Sequence, residues 1–241
     1  MIISHKYKYL FVEVPHTGST SISEELIANY HGHPILKKHA QYIEFLRQAS
    51  EDEKKYYIFS GVRNPLDEAV SVFLKIKNNH KGNYTSPDKL KVNGGFITDK
   101  KLKIRKYVEE NNSDFGQYLI MFFKKPFDNM NAAYFHKMDY IIRFEQIAEE
   151  FSYVIEKNIG IDLKRALPIV NKTQGKESFL DYYDSEEVIE HALDVFGPFM
   201  LKWGYKIPDT WDGFSVSALS ILKFRVFEIL RKIYYNNGYR I

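Results

Sequence analysis

The chain has 241 residues, 44% of them hydrophobic, which is enough for one globular domain with a small helical annex. Its 34 Lys and Arg against 31 Asp and Glu give a net charge of +3, too small by itself to indicate nucleic-acid binding. The sequence contains no cysteine, which excludes thiolate catalysis, disulfides and zinc-cysteine sites. Lys6 and Lys8 interrupt the N-terminal apolar residues, so we expect no signal peptide and a cytoplasmic protein.

Strands and helices alternate along most of the chain. The pattern predicts strands at 7–14, 56–62 and 140–144. It predicts a helix from Ser19 or Thr20 and further helices at 37–48, 66–77, 101–110, 113–123, 145–157, 185–195 and 215–235. A loop is predicted at 78–100. This alternation predicts an α/β fold with a central parallel sheet flanked by helices. Ligands of such sheets bind beyond the carboxyl ends of the strands. The loop at 78–100 is rich in Asn, Gly and Lys and is a candidate lid.

Residues 1–210 are predicted to form one domain, and residues 211–241 a helical C-terminal extension. Its helix has apolar residues on one face and basic residues elsewhere; the apolar positions are Leu219, Leu222, Val226, Ile229 and Ile233. Charges interrupt the run, so it is not expected to span a bilayer. We expect it to pack on the domain or on a partner chain, such as a second copy; contact with an anionic membrane surface is the alternative.

The stretch VEVPHTGSTSISEEL, residues 12–26, places a small polar turn between a strand and a helix. Gly18 allows the backbone to curl closely around a ligand, and the helix N-terminus favours an anion such as phosphate or sulfate. The further donors in this turn are His16, Thr17, Ser19, Thr20 and Ser21. The alternative is that the hydroxyls only cap the helix. The Walker pattern is absent because no Lys follows Gly18.

A second polar turn, GVRNP, follows the strand at 56–62. Arg63 comes directly after this strand, and Ser71 lies eight residues later on the next helix. A guanidinium and a hydroxyl approaching from one side are suited to hold a second phosphate.

The two turns together resemble a known family. PHTGSTSI followed by FSGVRNPLDEAVSVF is similar to the paired signatures of sulfotransferases that use 3'-phosphoadenosine 5'-phosphosulfate, especially the carbohydrate branch with Golgi-type and bacterial members. DYIIRFEQIAEEFSYVIEKNIGI and VNKTQGKESFLDYYDSEEVIEHALDVFGPFMLKWGY resemble later segments of the family, so the similarity extends over most of residues 8–205. The resemblance implies a three-layer, P-loop-like fold.

It also implies roles for the residues of both turns. Residues 16–21 would bind the 5'-phosphosulfate, and Arg63 and Ser71 the 3'-phosphate. His16 stands where the family usually has a Lys that contacts the bridging oxygen, and an imidazolium there would stabilise the leaving phosphate. Lys172 and Lys176, in NKTQGK, are candidates for approaching the nucleotide phosphate, the alternative being a solvated loop.

Sulfuryl transfer to an alcohol requires a base near the acceptor oxygen. The resemblance favours His39, in KKHAQYIEF, because the family commonly places a catalytic His between its two cofactor motifs. His31 and His33 are the alternatives. Neither has a carboxylate at a spacing typical of a metal site, and no metal is expected.

The sequence therefore predicts a sulfotransferase that moves a sulfuryl group to a hydroxyl of a carbohydrate or glycolipid, with His39 and His16 in catalysis. A nucleotide-dependent kinase of related fold and a catalytically inactive nucleotide-binding relative are the alternatives. No nucleic-acid partner is expected. Trp203 and Trp211 are predicted to be packing residues, and a glycan-stacking role for an exposed Trp211 stays open.

Overall fold

The computed structural model of the protein describes residues 1–129, 131–168 and 178–236, with the backbone alone at 235 and 236. The chain divides into two compact units. The first consists of Met1–Asn64, Asp128–Lys172 and Val226–Ile241, and the second of Pro65–Phe127 and Thr173–Arg225. The predicted division into residues 1–210 and 211–241 is a different one and stays a prediction.

The strands are β1 (Ile2–Ser4), β2 (Tyr9–Val12), β3 (His33–Pro34), β4 (Tyr57–Val62) and β5 (Tyr140–Arg143). The helices are α1 (Ser19–Asn29), α2 (Tyr42–Leu46), α3 (Pro65–Lys77), α4 (Asp99–Glu110), α5 (Phe115–Phe122), α6 (Ile147–Tyr153), α7 (Glu186–Lys202) and α8 (Ala218–Asn236). A π-helical turn at Val154–Ile159 extends α6.

The first unit contains a sheet of five strands in the order β3-β1-β2-β4-β5. β2, β4 and β5 are parallel neighbours, with Phe11 beside Phe59 and Val62 beside Arg143. β1 is antiparallel to both β2 and β3, so four of the five strands share one direction. The predicted mixed α/β fold is confirmed, and the ends of the three parallel strands lie at one edge of the sheet.

Both faces of this sheet are covered, and β2 is accordingly apolar and buried at every position, with successive side chains on opposite faces. One face packs Tyr9, Phe11 and Phe59 against residues of α1 and α6, including Ile22, Leu26 and Phe151. The other face packs Leu10, Val12 and Ile58 against Tyr42 and Phe45 of α2 and against Ala133 and Tyr134.

Three details of the first unit differ from the sequence prediction. The sheet is not wholly parallel, because the N-terminal residues form a hairpin: β1 pairs with β2 around a turn at residues 5–8. The helix predicted at 37–48 is limited to Tyr42–Leu46, since His39 has a left-handed φ of 59° that a helix does not allow. The helix predicted at 145–157 begins at Ile147 and ends in the π-helical turn.

The second unit is helical and rich in aromatic contacts. α3 packs against α4, α5 and α7. The ring of Phe73 lies 5.7 Å from that of Phe115 and 5.2 Å from that of Tyr118. Trp211 is buried beside Tyr183, at 5.3 Å between ring centroids, so its prediction as a packing residue is confirmed.

The candidate lid at 78–100 has local order of its own. It contains 3-10 turns at His80–Gly82, Pro87–Lys89 and Lys91–Asn93, and a β-bridge joins Leu90 and Ile97. Asn side chains tie the turns together, as where the Asn93 amide donates to the Pro87 carbonyl at 2.8 Å. Its role as a lid stays a prediction.

The C-terminal helix predicted at 215–235 is confirmed as α8. In the second half of α8, the guanidinium of Arg231 forms an ion pair with the buried carboxylate of Asp128 in the first unit. None of the described helices combines the length and the apolar character needed to cross a bilayer.

Candidate functional site

The turn between β2 and α1 depends on a glycine. Gly18 directly precedes the helix with φ 74° and ψ 10°, the left-handed conformation that glycine adopts most readily. A Cβ on this residue would lie 2.3 Å from Cδ1 of Ile147, so a side chain here would displace the end of the Ile147 side chain and also strain the left-handed backbone. No side chain of the described residues caps α1 at Gly18, and the first N–H groups of a helix have no partner within it.

We expect Gly18→Ala to lower the free energy of unfolding by about 2–4 kcal/mol, because left-handed strain of about 1–2 kcal/mol adds to displacement of Ile147. Gly160→Ala is the matched control: Gly160 has φ 76°, and a Cβ there meets no atom of the described residues within 4 Å. Urea denaturation of both variants measures the difference. Equal losses in the two variants would show that contact with Ile147 contributes nothing.

The same turn is held against the neighbouring strand. The buried Thr17 hydroxyl donates to the Val14 carbonyl at 3.0 Å. A Cβ on Gly61 of β4 would lie 2.9 Å from Oγ1 of Thr17, so the glycine permits the close approach of turn and strand. Thr17 is thus part of the turn's internal structure, and its assignment as a cofactor ligand stays a prediction.

Arg63 joins the ends of all three parallel strands. It is 6% exposed, its Nη1 donates to the His16 carbonyl at 3.1 Å, and its guanidinium lies 4.1 Å from the ring centroid of Phe144, directly after β5. The next residue, Asn64, donates its N–H to the Glu145 carboxylate at 2.7 Å. The structure therefore brings the turn at 15–18, Arg63 and the start of the segment after β5 into direct contact.

His16 is exposed in this turn and has a left-handed φ of 65°. Ser19 and Ser21 are buried in the first turn of α1, whereas Thr20 is partly exposed. The cofactor-binding and catalytic roles predicted for these residues stay predictions.

A lysine that was not among the predicted site residues reaches this turn. Lys38 Nζ donates to Oγ1 of Thr20 at 3.1 Å, which places an exposed ammonium group at the first turn of α1. The contact joins residues 18 positions apart, so no local sequence rule could have found it. The only signal was the pair Lys37-Lys38 beside His39. A cation here complements the anion preference of a helix N-terminus.

Comparison with known proteins assigns no family to this arrangement. No protein-family model, curated protein or solved structure matches the chain. The functional proposal therefore rests on the chain's own sequence motifs and on the geometry of its residues.

His39 is half-buried beside Lys38, and its Nδ1 lies 3.4 Å from the Glu13 carbonyl oxygen. A carbonyl oxygen only accepts hydrogen bonds, so this contact places the proton on Nδ1 and leaves the lone pair on Nε2 when the ring is neutral. Burial lowers the pKa of His39, and the backbone contact and carboxylate of Glu13 only partly oppose this. A neutral imidazole with a fixed tautomer can act as a base.

The Glu13 carboxylate forms a buried network behind the turn. It accepts hydrogen bonds from the Met1 amino group at 2.7 Å and from the Ser23 hydroxyl at 2.8 Å. Burial opposes ionisation of Glu13, but these contacts outweigh it and lower its pKa. The network joins β2 to α1 and stabilises the backbone that holds His39.

The two alternative histidines lie elsewhere on the first unit. The His31 ring accepts a hydrogen bond from Lys6 at 3.0 Å and contacts Tyr7, at the hairpin turn that precedes β2. This is the amino end of β2, opposite to the end that carries the turn with Gly18. His33 is exposed on β3. The structure therefore favours His39 over His31 as a group near this turn.

Three further residues were predicted to contact phosphate. Ser71 lies in α3 of the second unit, where it is buried. Lys172 and Lys176 lie outside the described residues. Their roles stay predictions, as does the absence of a metal; among the described residues no group of three or more His, Asp or Glu is placed to bind one.

Proposed function

We propose that the protein is a sulfotransferase with a P-loop-like fold that uses 3'-phosphoadenosine 5'-phosphosulfate as donor. The observation that supports this best is the contact of Arg63 with the His16 carbonyl, because it joins the two turns whose sequences resemble the cofactor motifs of that family. The turns follow parallel strands β2 and β4, where ligands of open α/β sheets bind.

The donor would be held by its charges. The backbone N–H groups at the start of α1 and the Lys38 ammonium face the 5'-phosphosulfate, and His16 approaches the bridging oxygen in place of the usual Lys. Arg63 contacts the 3'-phosphate, and the second contact that the sequence resemblance implies, through Ser71, stays a prediction. Arg63 is oriented by Phe144 and the His16 carbonyl, so less conformational entropy is lost when it binds the nucleotide.

The chemistry is an in-line substitution at sulfur. The acceptor hydroxyl oxygen forms a bond to sulfur as the bond from sulfur to the 5'-phosphate oxygen breaks, and the electron pair of that bond leaves with the phosphate. The acceptor proton passes to Nε2 of His39. Lys38, His16 and the α1 N-terminus stabilise the charge on the leaving phosphate. The acceptor we propose is a hydroxyl of a carbohydrate or glycolipid.

The direct test is incubation of the purified protein with donor carrying radiolabelled sulfate and a panel of glycans, glycolipids and phenols. Transfer of label to a glycan or glycolipid in the absence of magnesium is the expected result. In a parallel incubation with ATP labelled at its terminal phosphate, transfer that requires magnesium, with no transfer from the sulfate donor, would identify a kinase instead. Tight binding of adenosine 3',5'-bisphosphate with no transfer to any acceptor would identify a nucleotide-binding relative without this activity.

The binding step makes a separate prediction. Adenosine 3',5'-bisphosphate at about a hundredfold its dissociation constant should stabilise the protein by about 2.7 kcal/mol. AMP at the same concentration should stabilise it much less, because it lacks the 3'-phosphate. Arg63→Ala should remove the difference between the two nucleotides. Melting curves of wild type and variant measure it, and an equal response of the wild type to both nucleotides would disprove the 3'-phosphate site.

A further inference from the structure

The C-terminal helix presents an apolar face to solvent. Six aliphatic residues of α8 are each between 47% and 59% exposed: Leu219, Leu222, Val226, Ile229, Leu230 and Ile233. We call these six residues the apolar stripe. Their spacing places them within roughly 100° of the helix circumference, the width of a face that normally packs on a core.

The other side of the helix is the one that contacts the protein. Phe224 and Ser220 are buried, and Arg231 pairs with Asp128. α8 is therefore anchored through a face that includes polar groups, while its most apolar face lies outward. Such exposure is costly in water, and contiguous apolar patches usually mark a contact surface.

The charges beside the stripe are basic. Lys223 and Arg225 are exposed, and the only acidic residue of α8, Glu228, is partly buried and forms an ion pair with Lys232 at 3.2 Å. Two copies joined through the stripe would bring these like charges together, which disfavours a homodimer. Aliphatic residues flanked by Lys and Arg are instead typical of helices that lie in a lipid interface.

We propose that α8 lies on the surface of an anionic lipid bilayer, with the apolar stripe in the acyl boundary and Lys223 and Arg225 at the headgroups. The lipid contact and the proposed sulfotransferase activity use different residues, so either can fail while the other holds. For an acceptor carried on a lipid, such a contact would confine the protein to the surface that holds its substrate.

The test is cosedimentation of the whole chain with vesicles of phosphatidylcholine and phosphatidylglycerol, against vesicles of phosphatidylcholine alone. We expect binding to the anionic vesicles that weakens with added salt. Ile229→Glu with Ile233→Glu should weaken it about a hundredfold or more, because two apolar side chains are lost and two negative charges face the lipid. Val92→Glu is the matched control, since Val92 is 82% exposed and lies outside α8.

A second pair of variants tests the charges. Lys223→Gln with Arg225→Gln should weaken vesicle binding roughly fivefold for each charge removed, whereas Lys103→Gln, at an exposed lysine of α4, should have no effect. Unchanged melting temperatures exclude unfolding as the cause. Absence of vesicle binding, or binding that survives both Glu substitutions, would overturn the proposal. A wild-type dimer in sedimentation that the Glu substitutions convert to monomer would overturn it also, in favour of a second copy.

Discussion

His39→Asn is expected to lower turnover by about a hundredfold or more while nucleotide affinity stays nearly unchanged. Asparagine tolerates the left-handed backbone of His39, and its amide nitrogen can take the place of Nδ1 toward the Glu13 carbonyl. The variant thus retains the local structure and removes only Nε2, the proposed base. Single-turnover rates with labelled donor, together with bisphosphate binding, measure the two quantities.

The control for this prediction is His33→Ala, at an exposed histidine of β3, which should keep wild-type turnover. A His39→Asn enzyme with wild-type turnover would eliminate His39 as the base. Loss of turnover in His33→Ala instead would transfer the role to that residue. Equal loss of donor affinity and turnover in His39→Asn would point to a role in the turn's structure.

The pH dependence of turnover follows from the same residue. Burial lowers the pKa of His39, so the neutral, basic form persists below the ordinary histidine pKa of about 6.5. Turnover should therefore fall with decreasing pH around a midpoint below that value, as the ring becomes protonated. In His39→Asn this acid limb should disappear from the residual activity, and an unchanged limb would assign it to another group.

Much of the fold follows from local sequence patterns. The strands β2, β4 and β5 are runs of β-branched and aromatic residues, and the helices α1 and α3 begin after polar or Pro-containing turns. The hairpin strand β1 is not among the predicted elements, because Ile2–Ser4 is a run of only three residues and Lys6 and Lys8 belong to the turn that joins it to β2. A hairpin with a four-residue turn and no Gly has only a weak local signal.

The site residues that directly follow strands could be predicted from the sequence. Those whose position depends on the backbone conformation of a loop could not. Gly18 and Arg63 follow β2 and β4, so a parallel pairing of these strands was enough to expect their turns to be close. The left-handed conformation of His39 was not predictable, because residues other than Gly seldom adopt this region and its occurrence depends on the surrounding contacts. The contact of Lys38 with α1 depends on the same segment.

Lys38→Met is expected to lower turnover on the order of a hundredfold, since in the proposed reaction it removes a cation from the place where negative charge would develop on the leaving phosphate. The sulfotransferase family that the sequence resembles usually has a Lys where this chain has His16, so in the proposed reaction Lys38 would share with His16 the stabilisation of the leaving phosphate. The long unbranched side chain of Met preserves the apolar part of Lys. Steady-state rates with a good acceptor give kcat and KM separately.

Lys37→Met is the matched control, because Lys37 is the exposed neighbour of Lys38 and carries the same charge. A loss confined to Lys38→Met, seen in kcat and partly restored in Lys38→Arg, assigns the effect to a positioned cation in the transition state. Equal losses in Lys37→Met and Lys38→Met would show that only the general positive field matters. A rise in donor KM without a fall in kcat would show that Lys38 binds the ground-state phosphosulfate and leaves the stabilisation of the leaving group to His16 and the α1 amides.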